Sequence, residues 1–200
     1  MDTAVALVRS YLQANGFFTV TEYPILESIG VTTRAVTDVD VLALRFPGAG
    51  GVGADSPTGG LRIEPDPALE LSDDQIEVII GEVKEGVAML NKAARDPAVV
   101  AAALRRFGAM RPEVEDEIVR ELIATGVAYH PAGMRIRQMV FSTKPPEKRH
   151  DSYRWMAIGK IAEWMRAEVQ EHWEQIKTIQ SKDPALSFLL LFEKARRGEE

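Results

Sequence analysis

Thr37-Asp38-Val39-Asp40-Val41-Leu42-Ala43-Leu44 and Ile79-Ile80-Gly81-Glu82-Val83-Lys84-Glu85-Gly86 are the two stretches on which the reading of this chain turns. Each is apolar enough to be a core strand, yet each carries charge inside that run or at its end. Burying a charge is costly unless it is paired or binds a metal. In a strand, residues two apart share a face. Asp38 and Asp40 therefore project together, as do Glu82 and Lys84, while Val39 and Val83 turn to the opposite side. If the two strands are neighbours, Asp40 and Glu82 converge on one point. Carboxylate oxygens suit a hard cation, Mg²⁺ or Mn²⁺. The Lys84 ammonium would stand beside them, placed to help deprotonate a water or to stabilise a phosphorane-like transition state. A metal and a lysine beside a phosphodiester are the parts of metal-assisted hydrolysis.

Working outward, Ile76 to Lys84 has apolar residues on both parities, which predicts a central strand covered on both faces. Val36 to Phe46 reads as a strand closed by Pro47, and Phe17 to Ile25 as another. Ahead of them, Thr3 to Asn15 has helical apolar spacing and a stop at Gly16. Residues 47–75, glycine-rich and then acidic with prolines, read as a long inserted loop. It is not a phosphate-binding P-loop, because no Gly-Lys-Ser/Thr follows the glycines. Asp96-Pro97 opens a short helix, and Pro112 to Thr125 forms a second with acids crowded at its positive end. Met134 to Ser142 alternates as a strand. A helix is predicted over 152–180, with a heptad seam of Trp155, Ile158, Ala162, Met165, Val169, His172, Ile176 and Ile179. Asp183-Pro184 opens a last helix over 184–196. The expectation is an α/β fold, a small mixed central sheet flanked by helices. Residues 1–142 would be the core, and 143–200 a helical extension packing on it or on a partner.

The Asp40 strand followed by Glu82-Val83-Lys84 resembles the PD-(D/E)xK nuclease superfamily, which has the restriction-endonuclease-like fold. The spelling is similar to Holliday-junction resolvases and the nuclease-related domain, where an acid-x-Asp strand precedes an apolar run ending Glu-Val-Lys. The resemblance covers about residues 3–142. It implies an αβββαβ core and a nuclease acting on DNA, with RNA as the other candidate polymer. It also implies that Asp40, Glu82 and the Val83 carbonyl bind Mg²⁺ or Mn²⁺, and that Lys84 assists the attacking water. Some members add an acid from the first helix. Residues 3–15 contain none, which leaves Asp38 and Glu22 as candidates for the additional acid.

Composition bounds the partners. The 200 residues carry a net charge of −6, which argues against a general nucleic-acid binder. The charge is uneven, however. Residues 1–129 hold 11 basic and 20 acidic side chains, whereas 130–200 hold 13 basic and 10 acidic. The basic balance falls on Arg135, Arg137, Lys144, Lys148 and Arg149, the candidate phosphate contacts. No apolar run approaches the roughly 20 residues that cross a bilayer. With no cysteine, the expectation is a cytoplasmic protein with no membrane partner. The heptad seam predicts a homodimer or a partner protein docked on 152–180 and 184–196. Trp155, Trp164 and Trp173, spaced by nine, read as core or interface anchors rather than a base-stacking platform.

Two other functions compete. One is a non-catalytic nucleic-acid-binding or assembly module of the same fold. The other takes 97–142 as a helix-turn-helix with a wing. Its recognition helix would be the acidic second helix, and acids facing phosphate weigh against it.

Overall fold

A computed structural model describes residues 2–49, 63–108 and 111–198. The fold begins with α1 (Thr3–Ala14), whose free amides are capped by the Asp2 carboxylate accepting from Ala4 N–H at 2.7 Å. Val5, Val8, Tyr11 and Leu12 form its buried stripe. Gly16 ends it in the left-handed region, at φ +85°. Three antiparallel strands follow: β1 (Phe18–Ile29), β2 (Thr32–Arg45) and β3 (Ile76–Val87). The chain then crosses over through α2 (Pro97–Arg105) and α3 (Pro112–Thr125). It adds β4 (Val127–His130) and β5 (Met134–Lys144), the latter parallel to β3. The sheet is six-stranded and mixed, in the order β1-β2-β3-β5-β4, with the sixth strand, β6 (Arg154–Ala157), also paired to β5.

Two layers of helix cover it. On one face α1 and α4 (Ile158–Glu171) pack over Val41, Ala43, Ile79, Val83, Met139 and Phe141. On the other, α2 and α3 pack over Leu42, Val78, Ile80 and Ile136. β3 is thus apolar on both parities because both of its faces are covered, and β5 is buried on both of its faces beside it. The architecture is mixed α/β with a helical C-terminal part. β5 is a central strand of this sheet, so 127–142 is not the detached wing that a helix-turn-helix reading requires.

One expectation meets a different structure. The 152–180 segment is not one helix: it forms β6, then α4, then the short α5 (Trp173–Ile176). β4 pairs only with 134–137 of β5, and β6 takes the edge of 139–142, whose amides and carbonyls would otherwise lack strand partners. The seam turns inward over α4 and α5. Ile158 and Met165 pack with α1 residues, while Val169, Trp173 and Ile176 pack with Leu190 of α6 (Pro184–Arg197).

The 47–75 insertion lies partly outside the described residues, at 50–62. From Asp66 onward the segment is held to α1 and then to the sheet. Leu69 is fully buried, and the Tyr11 hydroxyl donates to Asp66 at 2.7 Å. Asn15 Oδ1 accepts from Asp66 N–H at 2.6 Å. Among the described residues, no helix is long and apolar enough to cross a membrane.

Candidate active site

The site forms where two strands part. The β2–β3 ladder runs from Arg45–Glu77 to Val41–Gly81 and stops. Beyond it β2 stays with β1, and β3 stays with β5. One step further in the same register, Asp40 lies opposite Glu82. The parting deprives Val83 N–H of a strand acceptor, and the Asp40 carboxylate takes that place, with Oδ2 at 2.7 Å. Gly81 lets the strands close up just before the fork. A Cβ there would come within 3.1 Å of Phe141 Cε2 and 3.3 Å of Val41 Cβ.

Glu82 is buried on the α2 side of β3. Its carboxylate makes a direct ion pair with Lys84, which shares its face. Asn91 Nδ2 donates to both Glu82 oxygens, each at 3.0 Å. Asn91 is itself fixed, because its Oδ1 accepts from Ala94 N–H at 2.6 Å. Burial pushes both carboxyls above their ordinary range. The Val83 amide and Lys84 oppose that rise at Asp40, and Lys84 and Asn91 oppose it at Glu82. Neighbouring carboxylates add to the rise, since Asp40 acts on Glu82 and both Asp2 and Asp38 act on Asp40.

The structure therefore brings Asp40, Glu82, Val83 and Lys84 together, and places Asp38 at the rim. Asp38 is exposed and lines a small cleft shared with Glu82, Asn91 and Gln138. Gln138 Oε1 is buried there without a hydrogen-bond donor among the described residues. Glu22 lies opposite Asp40 on β1, exposed and in the left-handed region at φ +52°. A non-glycine residue there is strained. Parity also breaks at this point: Val39 packs in the α2–α3 cluster and Val41 in the α1 cluster, although they are two residues apart.

Two candidate phosphate contacts are placed elsewhere. Arg135 and Arg137 turn onto Glu77, which is fully buried. Arg135 Nη2 approaches Glu77 Oε1 at 2.6 Å, and Arg137 Nη2 lies 3.2 Å from Oε2. Both guanidiniums also donate to the inserted segment, Arg137 to the Leu69 carbonyl at 2.7 Å and Arg135 to that of Glu70. They clamp residues 69–72 to the sheet, with Ser72 N–H donating to Glu77 at 3.0 Å. Lys144, Lys148 and Arg149 are exposed and have no acidic partner among the described residues. Lys144 sits opposite Val87, so the basic loop leaves the sheet at the end where Lys84 lies.

Two residues of the site escaped the sequence reading. Asn91 carries no motif, and only its place after β3 hints at a role. Asp2, whose charge acts on Asp40, lies one residue ahead of α1 rather than within it. A capping acid directly before that helix was the available signal.

The donors suit a divalent cation chemically. Two half-desolvated carboxyls, of which Asp40 raises the proton affinity of Glu82, would be relieved by positive charge between them. Mg²⁺ is commonly held by one or two carboxylates, with water and substrate phosphate completing its shell. Among the described residues, no group of three or more His, Cys, Asp or Glu side chains is gathered to hold a metal.

Comparison with protein-family models, with curated proteins and with solved structures finds no match to this chain.

Proposed function

We propose that this chain is a divalent-cation-dependent phosphodiester hydrolase acting on DNA, a nuclease of the PD-(D/E)xK type. One observation carries the reading: at the β2–β3 fork, Asp40 sits on the Val83 amide and faces the Glu82–Lys84 pair. The element order supports it, since helix, three antiparallel strands, crossover helices and the parallel strand β5 follow the αβββαβ series, with the short antiparallel β4 added between α3 and β5. Mg²⁺ or Mn²⁺, held by Asp40 and Glu82, would supply Lewis-acid stabilisation of the phosphoryl oxygens. The chain's own residues do the rest. The Val83 amide fixes the Asp40 carboxylate. Asn91 holds Glu82 in one orientation. Lys84, one-third exposed on its side chain, orients the attacking water and offsets charge that develops on the phosphate.

Plasmid, linear, single-stranded and branched DNA should be incubated with the protein and Mg²⁺ or Mn²⁺. Lys84→Ala should lose at least about 100-fold in cleavage rate, the scale of one removed electrostatic donor. Equal rates for wild type and Lys84→Ala on every substrate would refute the proposal.

A second reading keeps the fold and drops the chemistry. Lys84 and Asn91 already satisfy both Glu82 oxygens, the arrangement expected of a binding or assembly module whose site needs no ion. Calorimetric titration with Mn²⁺ separates the two. The nuclease binds in a manner abolished by Asp40→Asn, and the module does not bind.

A further inference from the structure

Trp155 does not share a helix with Trp164 and Trp173, so their common spacing says nothing about its role. It lies on β6, the edge strand, and is 40% exposed. Glu82 pairs with Val140, and Val140 with Trp155. The three form one row across the sheet on a single face. Two strand spacings of about 4.8 Å put the Trp155 backbone roughly 10 Å from that of Glu82. Its Nε1 donates to Ser142 Oγ at 2.8 Å, which fixes the ring without burying its face.

The loop from Pro145 to Asp151 stands over this edge and encloses an open cleft of about 760 Å³ with β6. Arg149 and Arg154 line the cleft, and Lys148 lies in the same loop. The His150 ring is stacked on Tyr153 at 5.4 Å, giving a second flat wall. Against these cations stand Glu147 and Asp151, so residues 144–154 carry a net excess of two positive charges before His150 is counted. That is a modest field on a chain whose total is −6. Cations alone would bind any polyanion weakly. An open indole beside free cations suits a polymer that offers both a phosphate and an unpaired base. A duplex keeps its bases stacked inside and leaves the indole nothing to engage.

We propose that this cleft binds the unpaired, single-stranded part of a nucleic acid, with a base stacked on Trp155 and the backbone on Lys148 and Arg149. The inference rests on the hydrolase reading, to which it adds the substrate class. A strand lying in the cleft would run along the same sheet face toward Lys84.

The test measures binding apart from chemistry. A fluorescein-labelled oligothymidylate of about 12 nucleotides is titrated with the full chain in EDTA, beside a blunt duplex of equal length and a polyglutamate competitor. The single strand should bind at least about tenfold more tightly than the duplex. Trp155→Ala should weaken it roughly 5- to 150-fold, while Trp155→Phe keeps most of the affinity. Arg149→Ala alters an exposed loop and leaves the fold intact. It should lower the slope of log affinity against log salt by about 0.7. Equal or tighter duplex binding, unchanged affinity in both Trp155→Ala and Arg149→Ala, or equal competition by polyglutamate would each overturn the proposal. Cleavage of the same oligonucleotide with Mn²⁺ is then scored separately. Binding of the oligonucleotide, with no Lys84-dependent cleavage of it or of the plasmid, linear and branched substrates, sinks the hydrolase reading and spares the cleft. Lys84-dependent cleavage that both cleft variants share with wild type does the reverse.

Discussion

Glu77→Gln should be among the most damaging single substitutions in this chain, although Glu77 lies outside the candidate active site. The carboxylate is fully buried. It accepts from Ser72 N–H at 3.0 Å and from Arg135 Nε at 3.1 Å, with Arg137 Nη2 3.2 Å away. Glutamine keeps the shape but removes the charge, and its amide would point two donors at two guanidiniums. Burial already holds Arg137 below its ordinary pKa, with Glu77 opposing that shift. Removing one partner from a buried ion pair costs about 3–5 kcal/mol, because the other charge is left uncompensated. At about 2–4 °C per kcal/mol for a chain of this size, the melting temperature should fall by roughly 6–20 °C. Urea unfolding followed by circular dichroism measures it. A loss below about 1 kcal/mol would refute the reasoning. It would mean that Arg135 and Arg137 are solvated and free to meet phosphate after all.

Two further outcomes follow from packing and charge. Gly81→Ala should cost about 1–2 kcal/mol in urea unfolding. The new methyl presses on Phe141 and Val41, both fully buried, and overpacking outweighs the smaller gain from a stiffer unfolded chain. An unchanged or raised midpoint would mean that the strands yield at the fork. Arg196, followed by Arg197 and Gln170, holds the Glu193 carboxyl down to about 2. A depressed carboxyl stabilises the fold above its ordinary pKa, and that stability is lost as pH falls through about 4.5 toward 2. The thermal midpoint of wild type should therefore drop over this interval more steeply than that of Glu193→Gln. Parallel curves would contradict the assignment.

Much of the sheet is legible because β3 is apolar on both parities, which marks a central strand covered on both faces. The Asp40–Glu82 meeting followed from parity and an assumed neighbour relation, although Val39 left its expected face where the strands part. Arg135 and Arg137 were misread for an instructive reason. The basic balance after residue 129 makes them candidates for phosphate, yet Ile76-Glu77-Val78 contains a buried-strand acid that needs a partner as much as Glu82 does. Applied evenly, the same rule would have paired Glu77 with the arginines of β5. The split of 152–180 lay beyond periodicity. β6 is four residues long, and Trp155 and Ile158 fit a heptad by accident. Its cause is non-local, the vacant edge of β5 beyond β4.

The central claim concerns the fork itself, and a crystal of this chain grown with Mn²⁺ and measured for anomalous scattering tests it most directly. The account predicts one strong anomalous peak between Asp40 and Glu82, with the Lys84 ammonium withdrawn from its direct contact with Glu82. A fork without such a peak at millimolar Mn²⁺, with Lys84 still seated on Glu82, would contradict it.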